Sequence, residues 1–132
     1  MNVEGLNHFN ITAPRELLER VRDFYVEALG LVVGERPAFM REGFWLYAGR
    51  EPVVHLTACG DDDPRAGGAR GPNFFDHVAF KCTGLAGCVE RLRRSGVEYE
   101  LAEVPSLRQV QLFLRDPAGV GVELNFADER PA

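Results

Sequence analysis

Apolar and polar positions change period several times along the chain, and each change marks an element. In GLNHFNITA, Phe9 and Ile11 alternate with His8, Asn10 and Thr12, which is the period of a strand. In PRELLERVRDFYVEALG the spacing becomes helical, with Leu17, Leu18, Val21, Phe24, Tyr25 and Leu29 recurring on one stripe. Pro14 suits the first turn of that helix and Gly30 its end. Three short strands are predicted next, in LVVGERPA, GFWLYAGR and PVVHLTA.

The second half repeats the order. FDHVAFKC predicts a strand in which Val78, Phe80 and Cys82 oppose His77, Ala79 and Lys81. LAGCVERLRRSG predicts a helix with Leu85, Val89 and Leu92 on one stripe and Gly96 closing it. VEYELAEV, RQVQLFLRD and GVGVELNFA supply three more strands. Between the halves, GDDDPRAGGARGPN has no apolar periodicity and reads as a linker, with a lid over a site as the alternative. The division is therefore a module over 1–59, a linker over 60–74 and a module over 75–132, together one domain.

Composition narrows the class. With 132 residues, 45% hydrophobic and 27% charged, the chain is of ordinary globular make-up. A net charge of −5 argues against a dedicated nucleic-acid binder, which needs a basic face. No apolar run approaches the roughly 20 residues of a membrane span, and MNVEGLNHF lacks the features of a secretion signal. No nucleic-acid or membrane partner is expected, and a cytoplasmic location is. Cys59, Cys82 and Cys88 are odd in number and lack C-x-x-C spacing, so they read as reduced thiols.

The repeat also relates chemistry. His77 follows His8 by 69 positions (77 − 8), and Glu123 follows His55 by 68 (123 − 55). All four lie on strand faces opposite an apolar row, so helices covering the apolar faces would leave them on the uncovered side of a sheet. Three imidazoles and a carboxylate suit a divalent first-row metal such as Zn, Ni, Fe or Mn. Singly, each also reads as an ordinary surface or hydrogen-bonded side chain.

The stretches NHFNI, RDFYVEALGL, DHVAF, the helix ending RRSGV, and LRDPAGVGVEL resemble, in that order, the vicinal oxygen chelate superfamily. Its members include glyoxalase I, fosfomycin-resistance thiol transferases, bleomycin-resistance proteins and extradiol dioxygenases. The resemblance spans essentially the whole chain. It implies an α+β fold of two βαβββ modules, forming a curled mixed sheet around a metal cleft. It also implies one divalent metal (Zn, Ni, Fe or Mn) held by His8, His55, His77 and Glu123, and a homodimer. His55 stands where bacterial glyoxalase I has a Glu ligand, which leaves Glu123 as the metal-bound carboxylate able to take a proton from carbon.

Strand parity offers substrate contacts. Asn10 and Thr57 lie two positions from proposed ligands, and Trp45 with Tyr47 would form an aromatic wall. Gln111 and Phe113 face the site if their parity follows the family; for all six, a core or surface role is the alternative. The implied function is a metal-dependent enzyme acting on a small substrate with vicinal oxygens, glyoxalase I-like lyase or isomerase chemistry being favoured. An extradiol-type dioxygenase is one alternative, although no histidine remains for a further acid–base role. A non-catalytic drug- or metabolite-binding protein is another, although such proteins typically lack the metal ligands. HLTACGDDD stands where glyoxalase I would place an Asn for glutathione, and the fosfomycin branch's potassium-loop and phosphonate residues are not recognisable.

Overall fold

In the computed structural model, residues 1–2, 4–38, 41–67, 75 and 77–131 are described. The chain divides into two compact units, residues 1–26 with 30–70, and residues 27–29 with 71–132. Of the linker predicted over 60–74, residues 68–74 lie outside the described part, as does Asp76 of the DHVAF stretch.

The first unit runs β1 (Phe9–Ala13), α1 (Arg15–Glu27), β2 (Val32–Gly34), β3 (Gly43–Ala48) and β4 (Glu51–Ala58). Its sheet is mixed and ordered β1-β4-β3-β2, with β1 parallel to β4 and the other pairs antiparallel. Period-two geometry sends Ile11, Ala13, Leu46, Val54 and Leu56 to one face, where all are buried. Helix α1 buries Leu18, Val21, Phe24 and Tyr25. Tyr25 meets Phe9 of β1 edge-on, with ring centroids 6.2 Å apart, and the Arg22 guanidinium lies 4.7 Å from the Phe44 ring centroid. Those contacts put α1 on the apolar face of the sheet.

The second unit runs β5 (His77–Cys82), α2 (Leu85–Ser95), β6 (Glu100–Val104), a single 3-10 turn at Pro105–Leu107, β7 (Gln109–Arg115) and β8 (Gly121–Ala127). Its sheet is ordered β5-β8-β7-β6, again with the first strand parallel to the last. Val78, Val110, Leu112, Leu114, Val122, Leu124 and Phe126 form its buried row, while α2 buries Leu85 and Leu92. The mixed strand set is thus two open four-stranded sheets with helices, an α+β fold.

Element edges differ from the sequence reading where local chemistry intervenes. His8 sits one residue ahead of β1, and the LVVGERPA strand shrinks to three residues, with Val32 and Val33 exposed. Strand β6 begins at Glu100 rather than Val97, and Pro105, which has no N–H to give a ladder, starts the 3-10 turn.

Two carboxylates hold the ends of elements in the second unit. Asp116 is buried and its Oδ1 accepts from the N–H groups of Ala118 and Val120 at 2.8 and 2.9 Å, closing the turn into β8. The N-terminus of α2 begins at Gly84, which has no side chain to cap it. Glu129 does so from 45 residues away, its carboxylate accepting from Gly84 N–H at 2.9 Å and Leu85 N–H at 3.1 Å. The position also suits a negative charge, since unpaired N–H groups face it. Glu129→Ala is expected to destabilise the second unit by about 1–2 kcal/mol, with Glu129→Gln losing less, read as a lowered urea midpoint.

Candidate functional site

In the first unit the polar face is built in a row. Gly34, Trp45, His55 and Asn10 are successive cross-strand partners over all four strands. Facing side chains on neighbouring strands come within contact range. The Trp45 and His55 rings accordingly stack at 4.1 Å between centroids, with planes 11° apart. His8 stacks on His55 as well, at 3.7 Å and 14°. His55 is therefore the middle ring of three.

That position decides its protonation. Burial is the largest influence and lowers its pKa below the ordinary 6.5, and the electrostatic influence of neighbouring His8 and of Arg36 acts in the same direction. The Pro52 carbonyl opposes them by accepting a hydrogen bond from Nε2–H at 3.0 Å. Because that carbonyl can only accept, Nε2 carries the hydrogen and the lone pair of the neutral ring is on Nδ1. His8 Nδ1 lies 2.7 Å from Asn7 Oδ1.

The other predicted residues of this unit share the face. Thr57 Oγ1 donates to Asn10 Oδ1 at 2.9 Å, and Asn10 Nδ2 donates to Thr12 Oγ1 at 2.7 Å, so the two residues are tied to each other. Trp45 and Tyr47 line an open pocket of about 450 Å³ together with Glu35, Arg36 and Pro37. Tyr47 is fixed by its hydroxyl, which donates to the Glu35 carbonyl at 2.7 Å. A bulge between Leu46 and Tyr47 shifts the register with β4 there.

In the second unit the polar face carries a carboxylate. Glu123 is only 8% exposed although it opposes the core row. Its Oε2 lies 3.1 Å from His77 Nε2, and its Oε1 accepts a hydrogen bond from Gln111 Nε2 at 2.7 Å. Phe113 is its direct partner on β7. Gln111 thus reaches this face as parity predicts, and its amide is spent on Glu123. Asn125, two positions beyond Glu123 on the same strand, has a buried Oδ1 with no hydrogen-bond partner among the described residues. Sequence reading passed over Asn125; the only available signal was its parity with Glu123.

The four sequence-predicted ligands therefore stand as two pairs, His8 with His55 and His77 with Glu123. The second pair fits adjacent positions on one metal ion, since donors about 2.1 Å from an ion and at right angles to it lie about 3.0 Å apart. Among the described residues, no group of three or more His, Cys, Asp or Glu side chains could hold a metal ion. No described helix is long and apolar enough to cross a membrane.

The lowered pKa of His55 has a sign that can be tested. The folded chain takes the proton less readily than the unfolded chain, so the neutral ring's contribution is complete above 6.5 and falls away as pH drops through that value. Thermal melts between pH 7 and pH 5 are expected to lose stability more steeply for the unaltered chain than for His55→Phe, which keeps a ring in the stack and has nothing to titrate.

The sequence model of the glyoxalase/bleomycin resistance protein/dioxygenase superfamily matches residues 5–124. No curated protein matches this chain significantly. Among solved structures, a lactoylglutathione lyase from Agrobacterium tumefaciens is similar at TM-score 0.66 and 17% identity, covering 97% of both chains. An antibiotic binding protein from Streptomyces sp. CB03234 reaches 0.67 at 19% identity, over 96% of this chain and 98% of that one. A fosfomycin resistance protein from Listeria monocytogenes, complexed with Mn(II) and a dihydroxypropylphosphonic acid, reaches 0.69 at 13% identity, over 96% and 94%. At these identities the likenesses speak for the fold, and the family model, matched along nearly the whole chain, for descent. The chain belongs to the glyoxalase/bleomycin resistance protein/dioxygenase superfamily.

Proposed function

We propose that this chain is a divalent-metal-dependent enzyme acting on a small substrate with vicinal oxygens, by glyoxalase I-like isomerase or lyase chemistry. The observation that carries the reading is the setting of Glu123. A carboxylate buried to 8% exposure, with an imidazole against one oxygen and an amide donor on the other, is held in one orientation. A solvated strand carboxylate would need neither partner.

In this reading His77 and Glu123, which the second unit brings together, hold the metal. When bound, a divalent ion supplies Lewis-acid polarisation of the substrate's oxygens. The chain's own part is proton handling. Glu123 takes a proton from the carbon beside the carbonyl and returns it to the neighbouring carbon, general base and then general acid. Gln111 pins Oε1, so that the carboxylate keeps its aim while Oε2 faces His77. Phe113, opposite Glu123, shields that carboxylate on the β7 side. A homodimer in the cytoplasm belongs to the same proposal.

One observation favours a second reading, binding without turnover: the first unit carries a ring stack beside an open pocket, and a relative of this fold is an antibiotic binding protein. Metal analysis and a screen of metal-reconstituted protein against hemithioacetals, catechols and epoxides separate the two. Metal-dependent turnover is expected. Glu123→Gln should lower kcat by about 10²-fold or more, and Gln111→Ala should weaken metal affinity or activity by about 10–100-fold. Failure to bind Zn, Ni, Fe or Mn, with no turnover of any of the three substrate classes, would sink the enzyme and leave the binder.

A further inference from the structure

We propose that Lys81 pairs with an anionic group of the substrate, a carboxylate or phosphate carried one strand row away from the carbon that Glu123 serves. This deepens the proposed function by naming a substrate class, and it rests on that reading.

The second sheet sets out its polar face in rows. Ala79, Glu123 and Phe113 are successive cross-strand partners, and Lys81, Asn125 and Gln111 form the next row. Two residues along a strand separate the rows, about 7 Å. On β5 the polar face is open, for His77, Ala79 and Lys81 are all exposed. Ala79 puts only a methyl group beside Glu123, so a guest lying along β5 reaches the carboxylate there, with Phe113 on its far side. The same guest meets Lys81 one row on.

The ammonium is not spent within the chain. Among the described residues, Lys81 has no hydrogen bond or ion pair. Its row holds no carboxylate, since Asn125 and Gln111 are amides and Ala102 closes the row on β6. Glu123, in the adjacent row, has one oxygen against His77 and the other on Gln111. Asn125 supplies the means of holding the lysine. Its Oδ1 is buried without a hydrogen-bond partner among the described residues, and its β7 neighbour Gln111 has turned Nε2 to Glu123. A buried acceptor without a donor is costly. The Lys81 ammonium carries three hydrogens on a flexible stem. One of them given to Asn125 Oδ1 holds the charge over the face, and two remain for an anion, a charge-assisted pairing.

Lys81 is the only lysine among the 15 Lys and Arg side chains, so amine chemistry reports on it directly. The full chain, supplied with Zn(II), is titrated by calorimetry with 3,4-dihydroxybenzoate and with 4-methylcatechol, which keeps the vicinal oxygens and lacks the charge. The acid is expected to bind roughly tenfold more tightly. Lys81→Gln should remove that difference, Lys81→Arg should keep most of it, and Asn125→Leu should lose part of it. Acetylation of Lys81 by an N-hydroxysuccinimide ester, read by peptide mass against the Met1 amine, should be slowed by the acid and not by the methylcatechol. Equal affinity for the two probes, or Lys81 labelling indifferent to the acid, would overturn the role of Lys81 and leave the Glu123 site standing. Binding of neither probe removes the vicinal-oxygen site and the role of Lys81 with it. None of these outcomes on the unaltered chain needs a variant to fold.

Discussion

The polar face of each unit depends on the register of one central strand, β4 in the first and β8 in the second. Each is paired on both sides, and each sends an unbroken apolar row into the core: Val54 and Leu56 in one, Val122, Leu124 and Phe126 in the other, all at 2% exposure or less. A slip of one residue would turn those side chains to the polar face and drive His55 or Glu123 into the core. Each large apolar side chain so exposed costs about 1.5–3 kcal/mol. The core therefore decides which face the polar residues occupy, and their own hydrogen bonds set only the final orientation.

The two units use this arrangement for different chemistry. Both have the order βαβββ, with the first strand parallel to the last. On the polar face of the first, the cross-strand partner of the central polar residue is Trp45, and aromatic stacking follows. In the second it is Phe113, with Gln111 two residues away, and the outcome is a hydrogen-bonded carboxylate. One face is organised by ring planes and suits flat apolar groups. The other is organised by directed hydrogen bonds to a carboxylate.

Much of this was legible from the alternation of residue types. Alternation and turn signals located the strands and set His55 and Glu123 opposite apolar rows, because burial of one face is a strong constraint on the other; for Gln111 and Phe113 the face came from the family resemblance. What was not legible depends on pairing between distant segments. Gln111 was identified as facing the site, but its bond to Glu123 follows from the β7–β8 register, which no local pattern reveals. The stack of Trp45, His55 and His8 needs the order β1-β4-β3, in which the last strand of the unit inserts between two earlier ones. The helix start at Gly84 carries no capping side chain, so its partner Glu129 could not be sought nearby.

That last contact bears on the order in which the protein is made. Synthesis proceeds from the N-terminus, and segments fold as they emerge. In the first unit the closing strand ends at Ala58, so all its strands are available early. In the second, β5 lacks its neighbour until β8 has been translated, and α2 lacks the acceptor for its leading amides until Glu129 follows. The nascent second unit therefore exposes an unpaired strand edge and an uncapped helix through most of its own synthesis. The residues that supply both lie close together at the end of the unit, β8 closing at Ala127 and the carboxylate following at Glu129.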